Sequence, residues 1–346
     1  MKLFCIGDIA LVDKINLSST LWPPITQVED QENSRVLFNW ETPIAETVIS
    51  EPRKCGGPRL VSFPGSVDVI QSWAPGFAAL ATNHILDADG SGLRDTIRSL
   101  DQKGFKTVGA GANQIESSKP LVWETEEGKL TIINWVFPET NPDWMVTPGP
   151  NCWPGLEEAK RLITNLKKQS DWVMLFAHWS DELFPYPRPE DRMIAKELAD
   201  AGLDLLIAHH PHVVRGMEVI GSCPVFYSLG NFYFSPFVHS LQKKVISPAP
   251  RNREGLGVIV TFSKKSKPAC QPVSFWQTGN HVINDPQNRA VIQMKRTSKP
   301  LDHPQNDIYA KWYAKQRTLF EKYWAKWEFG VRQLGFIGTV RRIFTK

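Results

Sequence analysis

The sequence predicts a protein of the α/β class (α+β in its mixture of elements), on three observations. Short apolar runs alternate with amphipathic helical stretches along most of the 346 residues, the pattern of sheets covered by helices. Several of those runs lack a period-two alternation, as strands covered on both faces do. Hydrophobic residues make up 42% of the chain, enough for one large or two modest domains with a real core.

The strands are "KLFCI", "RVLFN", "FAALA", "KLTIINWVF", "WVMLFA", "LDLLIA" and "PVFYSL", rich in β-branched and aromatic residues, and strands resume at "LGVIVTF". Three helices lie between them. In "GSGLRDTIRSLDQKG", Leu93, Ile97 and Leu100 share a face and Gly104 stops the helix. In "PGLEEAKRLITNLKKQ" the stripe is Leu156, Ala159, Leu162, Ile163 and Leu166. In "PEDRMIAKELADAG" it is Met193, Ile194, Leu198 and Ala201, with Pro189 near the start and Gly202 at the end. Loops rich in Pro and Gly occupy 52–65, 138–155 and 184–189, and 235–256 is irregular. After about residue 280 the pattern breaks and a polar linker leads to the tail. Residues 1–280 are therefore expected to form the main domain, and 281–346 a linker with a helical extension.

Charge is unevenly spread. From Ala310 to Lys346 nine Lys or Arg face two acids, so this tail carries +7 and, with a net +4 overall, the body carries −3. An acidic body argues against nucleic-acid binding. In the tail, Tyr313, Phe320, Trp324 and Trp327 recur at near-helical spacing with cations between them. Residues 306–346 are read either as a peripheral contact with an anionic membrane or as a helix packing its aromatics on the core. The five cysteines are odd in number and widely spaced, without a C-x-x-C pair, so a reducing compartment is the default. "MKLFCIGD" has too short an apolar run for a signal peptide, and no stretch approaches the ~18 apolar residues of a membrane span. The expectation is a cytoplasmic protein, membrane-peripheral at most.

The chemical residues share a position. Asp8 follows "LFCIG", Asn39 and Glu41 follow "VLF", Asn83 and His84 follow "FAALAT", His178 follows "VMLFA", and His210 and His212 follow "LLIAH". Ligand sites in α/β sheets gather at the carboxyl ends of strands, so five such endings predict one site. Taken singly, each has a plainer explanation: Asp8 a turn residue, Asn83-His84 a helix cap, Glu41 a surface carboxylate, His178 a structural histidine. Together they make a mixed oxygen and nitrogen donor set without thiolate, suited to one or two divalent ions such as Mn, Fe, Zn or Mg. On extended backbone, H-x-H points His210 and His212 to one face and His209 away. Glu182 and Arg192, near His178, are candidates for substrate contact or ordinary surface charges.

The stretches "GDIAL", "FNWETPI", "ATNHILDADGSGLRDTIRSLDQKGFKTVGAG" and "AHWSDELFPYPRPEDRMIAKELADAGLDLLIAHHPHVVRGMEVIGSCPVFYSLGNFYF" cover most of residues 1–235. They resemble the CapA-type bacterial capsule-synthesis (poly-γ-glutamate biosynthesis) proteins, which are similar to calcineurin-like metallophosphoesterases. The resemblance implies a four-layer sandwich, two packed β-sheets flanked by helices, here with a C-terminal helical tail. It implies Asp8, Glu41, Asn83, His178, His210 and His212 as metal ligands and His84 as acid/base, with Glu41 also close to the chemistry. Asn39 lies in the N-x-E motif and Asn231 in "SLGNF", both near the substrate. The sequence departs from the superfamily in "GDIA", which stands in place of D-x-H and so lacks one imidazole ligand. The function implied is a metal-dependent hydrolase of a phosphoester or of a γ-glutamyl or peptide-like small molecule or polymer fragment. The alternative is a non-catalytic accessory subunit of a polymer synthesis or export complex.

Overall fold

A computed structural model describes residues 1–12, 33–46, 58–140, 148–238, 245–264, 266–303 and 306–323. In chain order its strands are β1 (Lys2–Ala10), β2 (Ser34–Trp40), β3 (Gly76–Ala79), β4 (Phe105–Val108), β5 (Ala110–Gly111), β6 (Leu121–Thr125), β7 (Gly128–Val136), β8 (Gly149–Pro150), β9 (Trp172–His178), β10 (Leu205–His209), β11 (Met217–Ile220), β12 (Cys223–Phe226), β13 (Asn231–Phe234), β14 (Phe237–Val238), β15 (Val245–Ile246), β16 (Glu254–Thr261), β17 (Ala269–Thr278) and β18 (His281–Asn284). The α-helices are α1 (Asp89–Gln102), α2 (Gln114–Ser117), α3 (Leu156–Lys167), α4 (Pro189–Asp200) and α5 (Arg289–Ser298), followed by α6 over 306–323.

Strands β1 to β4 lie side by side and parallel. Antiparallel β16, β17 and β18 extend that sheet beyond β1, and β13 joins the far end of β1. The second sheet runs β11-β12-β10-β9-β7-β6, parallel at its centre and antiparallel at both edges. Both faces of the central strands are covered, which explains their unbroken apolar runs. In β9, Met174 and Phe176 point between the sheets while Val173, Leu175 and Ala177 point to the helices.

The result is the expected four-layer sandwich. On the outside, Leu93 and Leu100 of α1 pack on Ile6, Phe38 and Phe105. Between the sheets lie Leu3, Cys5, Leu37, Phe77, Phe176, Leu205 and Ile207. Ala159 and Ile163 of α3, with Ala195 and Leu198 of α4, cover the second sheet. Each fully buried large side chain of this kind contributes about 1.5–3 kcal/mol. Gly104, at φ 85°, ends α1 as expected of a left-handed stop.

Two expectations change. Met193 is 49% exposed, whereas Leu198 is buried and Ile194 and Ala201 pack against the core as expected, joined on the inner side by Asp191 and Ala195. Asp191 turns inward because its carboxylate accepts from the Arg188 amide at 2.8 Å and the Ser180 hydroxyl at 2.6 Å. The polar linker expected after residue 280 is not a linker: β18 pairs with β17, and α5 buries Ala290 and Met294 in the inter-sheet core. In α6, Tyr309 is buried and Trp312 and Tyr313 pack on the outer core. Phe184 meets Tyr313 and Phe320 at centroid distances of 5.2 and 5.1 Å. Tyr313 and Phe320 of the aromatic stripe are thus core contacts, while Trp324 and Trp327 lie outside the described residues. No helix among the described residues is long and apolar enough to cross a membrane.

Candidate metal centre

The parallel strands end together, and their last residues meet. Asp8 is positioned by Gly7, where a Cβ would lie 2.0 Å from the Gly230 carbonyl oxygen. That close approach, with an irregularity in the β1–β2 register between Ile6 and Asp8, turns a fully buried carboxylate toward the second sheet. Asn39, at the end of β2, donates its Nδ2 to Asp8 Oδ1 at 2.9 Å and to Glu41 Oε2 at 2.6 Å. Expected near the substrate, Asn39 instead is buried and ties two carboxylates together. After β3, Thr82 Oγ1 donates to the Glu41 carbonyl at 2.7 Å and the Ala81 amide donates to Asn134 Oδ1 at 2.7 Å. These bonds fix the turn that presents Asn83 and His84.

The imidazoles come from the second sheet. His178 Nε2 lies 3.0 Å from Asn83 Oδ1 and 3.5 Å from Glu41 Oε1. The His210 ring is 4.8 Å from that of His178 and 5.8 Å from that of His212. The extended H-x-H expected from the sequence is absent. β10 stops at His209, and His210 and His212 have φ of 91° and 56°, left-handed values that residues with side chains seldom adopt. A turn around Pro211, not strand alternation, brings both rings to the site. His209 does not point away. It pairs in register with His178 across β9 and β10 and sits against Phe176 at 4.1 Å. Its Nδ1 lies 3.2 Å from Asp8 Oδ1.

Charge follows from these contacts. Burial works to raise Asp8, but His209 and His212 outweigh it and hold the carboxyl well below its usual range. Burial works to lower His212, yet its 3.2 Å contact with Asp8 prevails and the ring is pushed up to about 10. His178 and His210 go the other way: burial foremost holds both well below the usual histidine value, so they are neutral. Neutral imidazole is the form that ligates metals.

Around this core, His84 Nδ1 donates to Asp87 Oδ2 at 2.6 Å, and Asp87 also accepts the Leu60 amide at 2.8 Å. This bond fixes the ring with Nε2 on the side away from Asp87. His212 Nδ1 donates to Asn231 Oδ1 at 2.9 Å, and Asn252 Nδ2 donates to the His212 carbonyl at 2.9 Å. Asn231 therefore orients an imidazole. Glu182 is exposed and stands at the open side beside His210 and His212. Arg192 is not brought to the cluster. It donates to Glu218 at 2.9 and 2.7 Å and to the Leu301 carbonyl at 2.8 Å, and it covers the Tyr309 ring at 4.6 Å. Asp87, Asn252 and the Asp8 contact of His209 lie beyond what the sequence pattern predicts. The i, i+3 spacing of His84 and Asp87 in "HILD" was the one available signal.

Among the described residues, two groups have donor atoms within 4.8 Å of one another: Glu41, His178 and His210, all buried, and Glu182, His210 and His212. The residues fit a divalent cation. Donors of oxygen and neutral nitrogen converge, and two buried carboxylates share one amide. Among the described residues, the buried Nδ1 atoms of His178 and His210 have no hydrogen-bond partner, which costs about 1–3 kcal/mol per group left unmet.

The chain is similar to several known proteins over part of its length. A protein of Bacillus subtilis (strain 168) named PGA biosynthesis protein CapA is 31% identical over 157 residues, 44% of this chain and 41% of that one. A probable polyglutamine synthesis accessory protein of Mycobacterium tuberculosis is 26% identical over 245 residues, 65% of this chain and 64% of that one. The matches thus span less than two thirds of these relatives' lengths. Among solved structures, a hypothetical protein from Thermus thermophilus superposes with a TM-score of 0.50 at 13% identity, covering 80% of this chain and all of that one. NAD nucleotidase of Haemophilus influenzae gives a TM-score of 0.44 at 15% identity, covering 93% of this chain and 67% of that one. The profile of the family described as bacterial capsule synthesis protein PGA_cap matches residues 2–236, from the first strand through the end of β13 and across every strand end that supplies the cluster, and the chain belongs to that family.

Proposed function

We propose that this chain is a metal-dependent hydrolase of capsule biosynthesis that cleaves a phosphoester, or a γ-glutamyl or peptide-like bond, with activated water. The observation that carries this is the convergence of Asp8, Glu41, Asn83, His178, His210 and His212 beside the His84–Asp87 pair. A pure scaffold gains nothing from burying two carboxylates among imidazoles, since a buried charge is costly unless compensated.

Glu41, Asn83, His178 and His210 would hold a divalent ion, Mn, Fe, Zn or Mg, with Asp8 and His212 flanking it. Such an ion, when bound, supplies Lewis acidity toward a substrate oxygen and acidifies water. Asp8 and Glu41 accept hydrogen bonds from the attacking water and so orient it. The water oxygen bonds to phosphorus or acyl carbon as the bond to the leaving group breaks. His84 gives its Nε2 proton to that leaving group, held in place by Asp87. The substrate is a small molecule or polymer fragment that enters on the Glu182 side.

Metal content of the purified full chain, followed by phosphomonoester, phosphodiester and γ-glutamyl amide substrates, tests this on wild type and His212→Ala. Bound metal and activity on one class are expected in the wild type, with both diminished in the variant. Activity unchanged by metal removal would overturn the proposal.

A second reading has one observation behind it, the name of the mycobacterial relative as an accessory protein. It makes the chain a non-catalytic subunit of a polymer synthesis or export complex. Metal-free protein whose stability is indifferent to chelator is its signature. Both readings place the chain in the cytoplasm or at the membrane periphery. Ile308, Lys311, Lys315 and Leu319 are exposed along α6 and available to an anionic surface.

A further inference from the structure

The loop between β9 and α4 is held far more firmly than a connection requires. Ser180 and Leu183 have φ of 75° and 63°, values that persist only where the surroundings over-determine them. From within, buried Arg215 donates to Ser180 Oγ at 2.6 Å, to the Asp181 carbonyl at 2.7 Å and to the Phe184 carbonyl at 2.9 Å. The Leu183 amide donates to the Pro211 carbonyl at 2.9 Å, which ties this loop to the turn bearing His210 and His212.

From without, α6 lies along the same loop and meets it in reverse chain order. The Tyr309 hydroxyl donates to the Pro187 carbonyl at 2.6 Å. Trp312 meets Tyr186 edge to face, with ring centroids 4.6 Å apart. Tyr313 and Phe320 close on Phe184. The Arg317 guanidinium covers the Phe184 ring at 5.2 Å, and its Nη1 donates to Asp181 Oδ2 at 3.0 Å. The Tyr313 hydroxyl donates to the same oxygen at 3.4 Å. Next to Asp181 stands Glu182. None of these bonds uses its carboxylate, which is exposed and lies within 4.8 Å of His210 and His212 nitrogens. The family profile ends at residue 236, so α6 is an addition to the matched core.

We propose that Arg317 and Tyr313 are positioning residues for hydrolysis: docked α6 fixes the 181–184 loop at the entrance to the metal centre, and productive substrate binding depends on that docking. One guanidinium does two things here, pairing with Asp181 and lying on Phe184, so charge and ring contact hold the loop together. A substrate that needs the loop in place loses affinity in proportion to the molecules in which the loop has moved. The proposal rests on the hydrolase reading above.

The test measures kcat and KM of the Mn²⁺-loaded full chain on p-nitrophenyl phosphate, bis-p-nitrophenyl phosphate and γ-glutamyl-p-nitroanilide. Hydrogen exchange of residues 180–187 is followed by mass spectrometry alongside. The proteins are wild type, Arg317→Ala, Arg317→Lys and, as a control, Lys322→Ala, which is exposed on α6. Circular dichroism checks that each variant folds. Arg317→Ala should raise KM about 3–10-fold and speed exchange in the loop, with kcat and metal content unchanged. Arg317→Lys keeps a cation beside Asp181 and should recover part of the loss, and Lys322→Ala should match wild type. A wild-type KM in Arg317→Ala, an equal rise in Lys322→Ala, or a fall in kcat and metal content in place of the KM effect would overturn the proposal while sparing the hydrolase reading. Wild type that hydrolyses none of the three probes would overturn both.

Discussion

Replacing Arg215 with methionine should destabilise the protein and loosen the Glu182 loop together. The guanidinium is buried, with 1% of the residue exposed. It makes three hydrogen bonds of 2.6–2.9 Å, two of them to loop carbonyls. Its Nη1 also lies 3.9 Å from the Asp191 carboxylate. Breaking a buried ion pair by removing one partner costs about 3–5 kcal/mol. Here the lower end applies, because Asp191 keeps the Arg188 guanidinium at 2.9 Å and the Ser180 hydroxyl at 2.6 Å. The carbonyls of Asp181 and Phe184 lose their donor, at about 1–3 kcal/mol each where water cannot replace it. Methionine recovers part of this by filling the space with apolar atoms. The net expectation is a loss of about 3 kcal/mol, some 100-fold or more in the folding equilibrium. Urea unfolding followed by tryptophan fluorescence reads it, with Arg317→Ala as control. That half-buried, solvent-accessible pair with Asp181 is worth about 1 kcal/mol or less. A loss below about 1 kcal/mol for Arg215→Met would refute the claim that this buried cation bolts the loop.

His84→Ala should lower kcat by about 10²–10⁴-fold while leaving metal content unchanged, and Asp87→Asn should fall between the variant and wild type; equal loss of metal in either would make His84 a ligand rather than a proton donor. Gly7→Ala places a Cβ 2.0 Å from the Gly230 carbonyl oxygen, so a stability loss of about 1–3 kcal/mol is expected, read by thermal unfolding, together with weaker metal binding through displaced Asp8. Flotation of the full chain with vesicles should show binding to anionic but not zwitterionic lipid, abolished by high salt; equal recovery with both lipids would contradict an electrostatic contact.

Much of the site was legible because one rule governs it. Parallel strands covered on both faces read as apolar runs, and polar residues at their ends stand out: Asp8, Asn83 and His178 were found that way. Where the structure departs from expectation, the cause is backbone or long-range contact that a one-dimensional pattern does not encode. His210 and His212 converge through left-handed residues about Pro211, so period-two alternation predicted the right pair for the wrong reason and sent His209 to the wrong side. Arg192 lies near His178 in the chain, but Glu218 and Tyr309, distant in sequence, claim it. Met193 fits the helical stripe of α4, yet it is exposed while the polar Asp191 is buried by hydrogen bonds to Arg188 and Ser180. β17 and α5 leave little trace in the sequence because Pro272 and polar residues interrupt the first, and the second buries only Ala290, Met294 and Thr297.

The most direct test is a comparison of wild type with His178→Ala for divalent metal content and hydrolytic rate, before and after chelation. His178 is fully buried and lies 3.0 Å from Asn83 Oδ1 and 3.5 Å from Glu41 Oε1, so its loss removes an imidazole from the middle of the buried set. Wild-type protein should retain metal, hydrolyse one of the phosphoester or γ-glutamyl substrates, lose that activity to chelator and regain it on metal addition, while His178→Ala does neither. A folded His178→Ala protein that holds as much metal and hydrolyses as fast as wild type would contradict the account.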